Sequence, residues 1–207
     1  MKTIKILTLL TLFIGFTSCD DDNDIIILEV ESKTISNLFA PQSGGQGQPV
    51  SGAFTKFDFE TGEITTSETD WDIAFRGTSI IVNGGTSLGT TDEPNRTSEA
   101  AVYIANGTLG SITDVTPASF IQDSDTGNAI STGSGNGWYT YAGPPSHLII
   151  PTPGKILVFK TSDGKYAKVE ILSYYKDAPV NPNAFVNETP YYTFNYVYQP
   201  NEGVTTF

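Results

Sequence analysis

The chain of 207 residues holds one cysteine, one histidine, one methionine and two arginines, and each scarcity excludes something. A lone Cys19 permits no intrachain disulfide, and one cysteine with one histidine cannot build a Cys/His zinc centre. Only 11 basic residues face 23 acidic ones, for a net charge of −12, and the basic residues form no cluster. A phosphate backbone therefore has nothing to bind, which removes nucleic acid as a partner. Walker and dinucleotide-binding glycine patterns are missing as well, and no catalytic constellation supports an enzyme. Amphipathic helical periodicity is also scarce. ESKTISNLF at the start of the domain and PASFIQ at 117–122 are the stretches that read as one or two helical turns. The apolar run Ile6 to Phe16 is eleven residues long, short of the ~20 that a helix needs to cross ~30 Å of hydrocarbon.

That run has a different use. In MKTIKILTLLTLFIGFTSC, Lys2 and Lys5 precede the apolar stretch and small polar residues lead to Cys19, the order of a secretory leader. The position of Cys19 resembles the lipobox of bacterial lipoproteins, in which the cysteine is acylated; Phe16 stands where that pattern usually has leucine. The expected organisation is a signal peptide at 1–18, an acylated acidic tether at 19–30 carrying DDDND, and one domain at 31–207, long enough for a full hydrophobic core. Such an anchor implies an outer-membrane protein, facing the cell surface or released from it.

What the domain does contain is period two. In YAKVEIL, Ala167, Val169 and Ile171 share one face and Lys168 and Glu170 the other, the pattern of a half-buried strand. KILVFK before it, joined through Asp163-Gly164, completes a hairpin. AFTKFDFETGEITT reads as a second hairpin around Thr61-Gly62. YYTFNYVYQ places Tyr192, Phe194, Tyr196 and Tyr198 on one face, an aromatic stripe suited to a core. In DWDIAFRG, Trp71, Ile73 and Phe75 are expected inward and Asp72, Ala74 and Arg76 outward. The fold class is all-β: a single antiparallel β-rich domain with long loops and one or two short helices.

Three motifs carry chemistry on paper. GTSLG at 85–89 matches the nucleophile pattern Gly-x-Ser-x-Gly, yet TTDEPNRTSE after it has a proline and no helical period, so a loop is expected. DSDTGN at 123–128 opens like a calcium loop but has Ser134 where the bidentate Glu belongs, so a turn is expected. Asn95, Asn106 and Asn187 head Asn-x-Thr triplets, coincidental in a bacterial lipoprotein.

TDWDIAF (69–75) with VNGGTSLG (82–89), then GKILVFKTSDGKYAKVEILSYY (154–175), then YYTFNYVYQPNEG (191–203) together resemble the HmuY-like family of haem-binding lipoproteins. The resemblance implies a nearly all-β, non-enzymatic, surface-anchored protein that captures haem for iron acquisition. It also implies delivery of the haem to a TonB-dependent outer-membrane receptor. Family members clamp the iron between two histidines or use methionines, a pairing this chain cannot make from His147 and Met1. One imidazole remains, with water, nothing or a tyrosinate opposite. His147 is therefore the candidate iron ligand, and Trp138, Tyr139 and Tyr141 are the candidate haem contacts, the two tyrosines on one strand face and Trp138 on the other. The alternative is a non-enzymatic lipoprotein on the same scaffold that binds a glycan, a calcium-dependent partner or another porphyrin.

Overall fold

The computed structural model describes residues 27–45 and 47–207; the leader, Cys19 and most of the tether lie outside the described residues. In chain order the strands are β1 (Glu31–Phe39), β2 (Ser43–Gly45), β3 (Gln48–Ser51), β4 (Thr55–Asp58), β5 (Glu63–Thr65), β6 (Ile73–Arg76) and β7 (Ser79–Val82). Then follow β8 (Ala101–Asn106), β9 (Tyr139–Tyr141), β10 (Ile149–Pro151), β11 (Lys155–Lys160), β12 (Tyr166–Ser173) and β13 (Tyr191–Gln199). The fold is all-β and antiparallel. A five-stranded sheet runs β1-β13-β12-β11-β8, a four-stranded sheet runs β5-β4-β6-β7, and β9-β10 and β2-β3 form two-stranded ribbons.

The two large sheets share one core. Phe57, Ile73, Phe75, Ile80 and Val82 from one meet Leu38, Phe159, Val169 and the stripe Tyr192, Phe194, Tyr196 and Tyr198 from the other. The rings of the stripe interlock across the sheets, Phe57 lying edge-on to Phe194 at 5.5 Å and Phe75 at 4.8 Å from Tyr192. Such pairs add about 0.5–1.5 kcal/mol each beyond burial of their area. Both expected hairpins form: β4 and β5 join through Thr61-Gly62, and β11 and β12 through the Asp163-Gly164 turn. Gly62 has φ +72°, and a Cβ there would lie 2.5 Å from the Tyr196 hydroxyl, so both backbone and core require glycine.

Period two under-reads the outer faces. Lys168 is buried rather than solvated, its ammonium donating to the Ile112 carbonyl at 2.7 Å. A second layer covers that side of the five-stranded sheet, where Val115, Ile156 and Val158 pack with Leu109, Phe120 and Phe207. In DWDIAFRG the expected alternation starts one turn of chain too early. Trp71 belongs with Phe54, Ala74 and Ile81 on the outer face of the four-stranded sheet, while Ile73 and Phe75 enter the main core. Asp72 and Arg76, expected outward, are both buried.

ESKTISNLF is not helical. It is β1, paired with β13 along its length, and the bulge that shifts register between Ile35 and Leu38 explains the misreading. The extra residue, with Asn37 at φ +59°, brings Ile35 and Leu38 to the core three residues apart, the spacing of a helix turn. PASFIQ yields a single 3-10 turn at Pro117–Ser119. Ahead of β1, Leu28 exchanges two 2.8 Å hydrogen bonds with the side chain of Asn201, so the chain is docked three residues before the expected boundary at 31. Among the described residues every strand and every core residue lies after residue 27, so a chain of residues 20–207 contains all of them.

Candidate functional site

The β9-β10 ribbon carries His147. Tyr141 pairs with Ile149 and Tyr139 with Pro151, and the connecting loop closes through Ala142 N–H to Leu148 O at 2.9 Å and His147 N–H to Gly143 O at 2.8 Å. His147 sits in the left-handed region at φ +53°, a conformation that histidine tolerates better than most residues but that still costs energy. Its ring stands exposed at the tip, with Nδ1 against the Tyr141 hydroxyl. Among the described residues no hydrogen bond engages Nε2, which leaves the better-placed nitrogen for a ligand.

The four sequence candidates divide into two pairs. Tyr141 is 41 % exposed and stands beside His147, whereas Trp138 is 2 % and Tyr139 7 % exposed, both inside the main core. Trp138 donates its indole N–H to Thr78 O at 3.0 Å and lies 4.9 Å from the Tyr139 ring, so these two are neighbours in the core rather than on opposite faces. Trp138 precedes β9, where strand alternation does not apply, and the two rings support the ribbon from behind. Burial pushes the phenols of the neighbouring Tyr174 and Tyr192 well above their ordinary range, so these two supply no tyrosinate.

Opposite the ribbon tip lies the long connection from β12 to β13. Phe185 meets the His147 ring edge to face at 5.6 Å. A cleft of about 280 Å³ opens between the two segments, lined by Pro145, Ser146, Leu148, Pro182, Asn183 and Phe185. None of these side chains is charged. A second depression of about 200 Å³ adjoins it through Pro182 and includes Ile150, Leu172 and Val180. The connection is held from within and from both sides. Asn183 O accepts from Val186 and Asn187 N–H, Asn187 Oδ1 accepts from Asn183 N–H at 2.7 Å, and Lys176 pairs with Glu188 at 2.8 Å. Asn37 in the β1 bulge exchanges two bonds with Asp177, and Tyr175 takes Ile149 N–H on its hydroxyl, which fixes β10 to the same connection.

Pro182 and Phe185 were not among the candidates, because the segment DAPVNPNAFVNET has no period. Its signal was different: Val180, Phe185 and Val186 stand among prolines and asparagines where a plain loop would be polar, and they are 95, 74 and 75 % exposed.

Elsewhere the paper motifs dissolve into scaffold. GTSLG is a loop with no helix after it; Ser87 accepts only from Gly89 N–H. Asp123, which opens DSDTGN, is buried with both oxygens spent: Oδ1 accepts from Ala129 N–H, and Oδ2 from Val82 N–H and Arg96. Burial raises its carboxyl despite these donors. No set of three or more Asp, Glu, His or Cys among the described residues could hold a metal ion. The other arginine is consumed too, since Arg76 donates to the carbonyls of Gly52 and Thr91 and lies over the Phe54 ring.

Taken together these features define a class, the antiparallel two-sheet domain that offers one free imidazole beside an uncharged, apolar cleft built from two loops. The chain belongs to the HmuY family, whose pattern it matches over residues 52–196. One solved structure agrees in fold, and two others align less closely. The apo HmuY analogue of Tannerella forsythia aligns with a TM-score of 0.50 at 16 % identity over 84 % of this chain and 99 % of its own. A Bacteroides fragilis protein described as a lipoprotein gives 0.48 at 13 % identity, covering 84 and 96 %. A Bacteroides vulgatus protein described as HmuY-like and heme-binding gives 0.41 at 15 %, covering 85 and 97 %. No curated protein matches the sequence.

Proposed function

We propose that this chain is a non-enzymatic, surface-anchored haem-binding lipoprotein that captures haem for iron acquisition and passes it to a TonB-dependent outer-membrane receptor. The observation that carries the reading is the exposed His147 imidazole, oriented by Tyr141 and bordered by the apolar cleft, within a HmuY-family fold. Haem supplies a flat apolar ring and an iron that accepts imidazole nitrogen. His147 fits it through Nε2; Nδ1 then carries the proton and donates it to the Tyr141 oxygen, the arrangement that fixes a ligating imidazole. Phe185, Leu148 and the prolines would meet the ring, and Trp138 and Tyr139 would act only as backing. With both arginines internal and the cleft uncharged, the propionates would face water. The anchor would be Cys19.

The test is a ferric-haem titration of residues 20–207, compared with His147→Asn and His147→Gly, two residues that tolerate the left-handed backbone. Saturable Soret change in the wild type, with weaker binding or a changed spectrum in both variants, is expected. Failure of the wild type to saturate would remove the reading. Membrane fractionation of Cys19→Ser checks the anchor: the variant should become soluble, and an unchanged membrane fraction would contradict acylation.

One observation favours a second reading, the binding of a glycan. A cleft of about 410 Å³ on another face is lined by Phe120 and Tyr166 together with Glu99, Gln122 and Lys160, aromatic faces among hydrogen-bonding groups. Calorimetry against surface oligosaccharides, with Tyr166→Ala as control, separates it from haem binding; no heat with any sugar would dispose of it. The calcium-dependent variant gains no support, since no set of three or more Asp, Glu, His or Cys among the described residues could hold a metal ion.

A further inference from the structure

The site supplies iron with one ligand and has no second to give. Met1 and Cys19 belong to the leader and the anchor, and His147 is the only histidine. Tyr139 is buried against Trp138. Tyr141 holds Nδ1 of His147 itself, so it stands on the imidazole's own side of any iron bound at Nε2. Among the described residues, neither of these tyrosines offers a second ligand opposite His147.

The surface around the site is also unfinished. Leu148 and Phe185 in the first depression and Ile150, Leu172 and Val180 in the second form one apolar area joined at Pro182, with Val186 next to Phe185. Phe185, Val186 and Val180 are among the most exposed large apolar side chains described. Patches of this kind, gathered on one face, mark surfaces that are covered in use. Of the charges that flank the area, Lys176 is paired with Glu188, and Asp177 accepts a hydrogen bond from the Asn37 amide. The chain is strongly acidic overall, yet no carboxylate lines the cleft.

We propose that one haem bridges two copies of this chain, each presenting its His147 to one face of the iron. The inference rests on the haem-binding reading above. A twofold axis through the iron makes the interface isologous: the same imidazole, the same Phe185 and the same apolar area occur on both sides. Each copy then covers the ring face that the other leaves wet, and both axial positions carry imidazole. Repulsion between the two acidic bodies opposes the pair and is screened by salt, so added salt favours bridging.

The experiment is a ferric-haem titration of residues 20–207 followed by absorbance, light scattering after gel filtration, and native mass spectrometry, beside the variant Val180→Asp. The expected first break falls at about half an equivalent, with a species of two chains and one haem and the low-spin spectrum of bis-imidazole iron. Haem beyond that point should convert it to one haem per chain, monomeric and high-spin. In Val180→Asp, a substitution at an exposed position of the second depression, the break should move to about one equivalent while haem binding through His147 persists. A wild type that binds haem one to one as a monomer from the first addition would overturn the bridge and leave haem binding intact. Two chains with two haems would overturn it as well. No saturable binding at all would remove the haem reading and the bridge with it.

Discussion

At the scale of single residues, His147 and Tyr141 act as a unit whose members have different tasks. The phenol bonds Nδ1 of His147, so in the proposed haem site it would fix which imidazole nitrogen is free and how the ring is turned rather than reach the iron. Partners of this kind contribute about 10–100-fold to metal affinity when removed. Tyr141→Phe is therefore expected to weaken ferric-haem binding by about that factor while moving unfolding stability by less than about 0.5 kcal/mol, because the side chain is on the surface. Equal haem affinity in wild type and variant, by competition with a haem-binding reference protein, would show that the contact does not orient the ligand. His147 was legible in the sequence because it is the only imidazole. The burial of Trp138 beside Tyr139 was not, since alternation is a property of regular strand and β9 begins only at Tyr139.

At the scale of elements, the strands with clean period two and Gly turns were readable, notably β11, β12 and β13, because one face of each is core. The errors arose where something else shared the burial. A bulge gave β1 the spacing of a helix, and a second packed layer hid Lys168. The β12–β13 connection was opaque for the opposite reason: its order comes from Asn side chains bonding to backbone, which leaves no periodic trace. The loop after β7 is secured by a comparable device, Arg96 bonded at once to Asp123 and Glu93 with all three side chains buried. Burial raises the Glu93 carboxyl, but the Thr90 bonds and Arg96 outweigh it and hold the group below its usual range. Arg96→Ala strands the Asp123 charge in the interior, so a loss of about 3–5 kcal/mol in urea unfolding is expected. A loss under about 1 kcal/mol would mean that the network is dispensable.

At the scale of the whole molecule, Asp72 ties the two sheets together. It accepts Phe59 N–H at 2.9 Å from the strand end of one and Ser162 N–H at 2.7 Å from the turn of the other. Burial pushes its carboxyl from 3.8 up to about 6, the two backbone bonds only partly opposing this. Between those values the folded protein keeps a proton that the unfolded chain has lost. This group's contribution is thus full below about pH 4 and falls as pH rises to about 6, by up to about 1.4 kcal/mol per unit. Asp163 works the other way: burial raises its carboxyl, but Lys165 and Thr161 hold it below the usual range, so its contribution is lost on acidification. Comparing urea unfolding of wild type and Asp72→Asn across this range isolates the term: the wild type should lose stability relative to the variant as pH rises, and a flat difference would refute it. The scaffold so joined serves to hold the ribbon tip and the β12–β13 connection together, and the account stands or falls on what His147 does there. A single histidine makes the decisive measurement simple. In residues 20–207 labelled with ¹⁵N only at histidine, saturating ferric haem should shift or broaden the Nε2 signal of His147 through contact with paramagnetic iron, while diamagnetic zinc protoporphyrin sharpens the comparison. An Nε2 signal that stays at its haem-free position with haem bound would contradict ligation by His147.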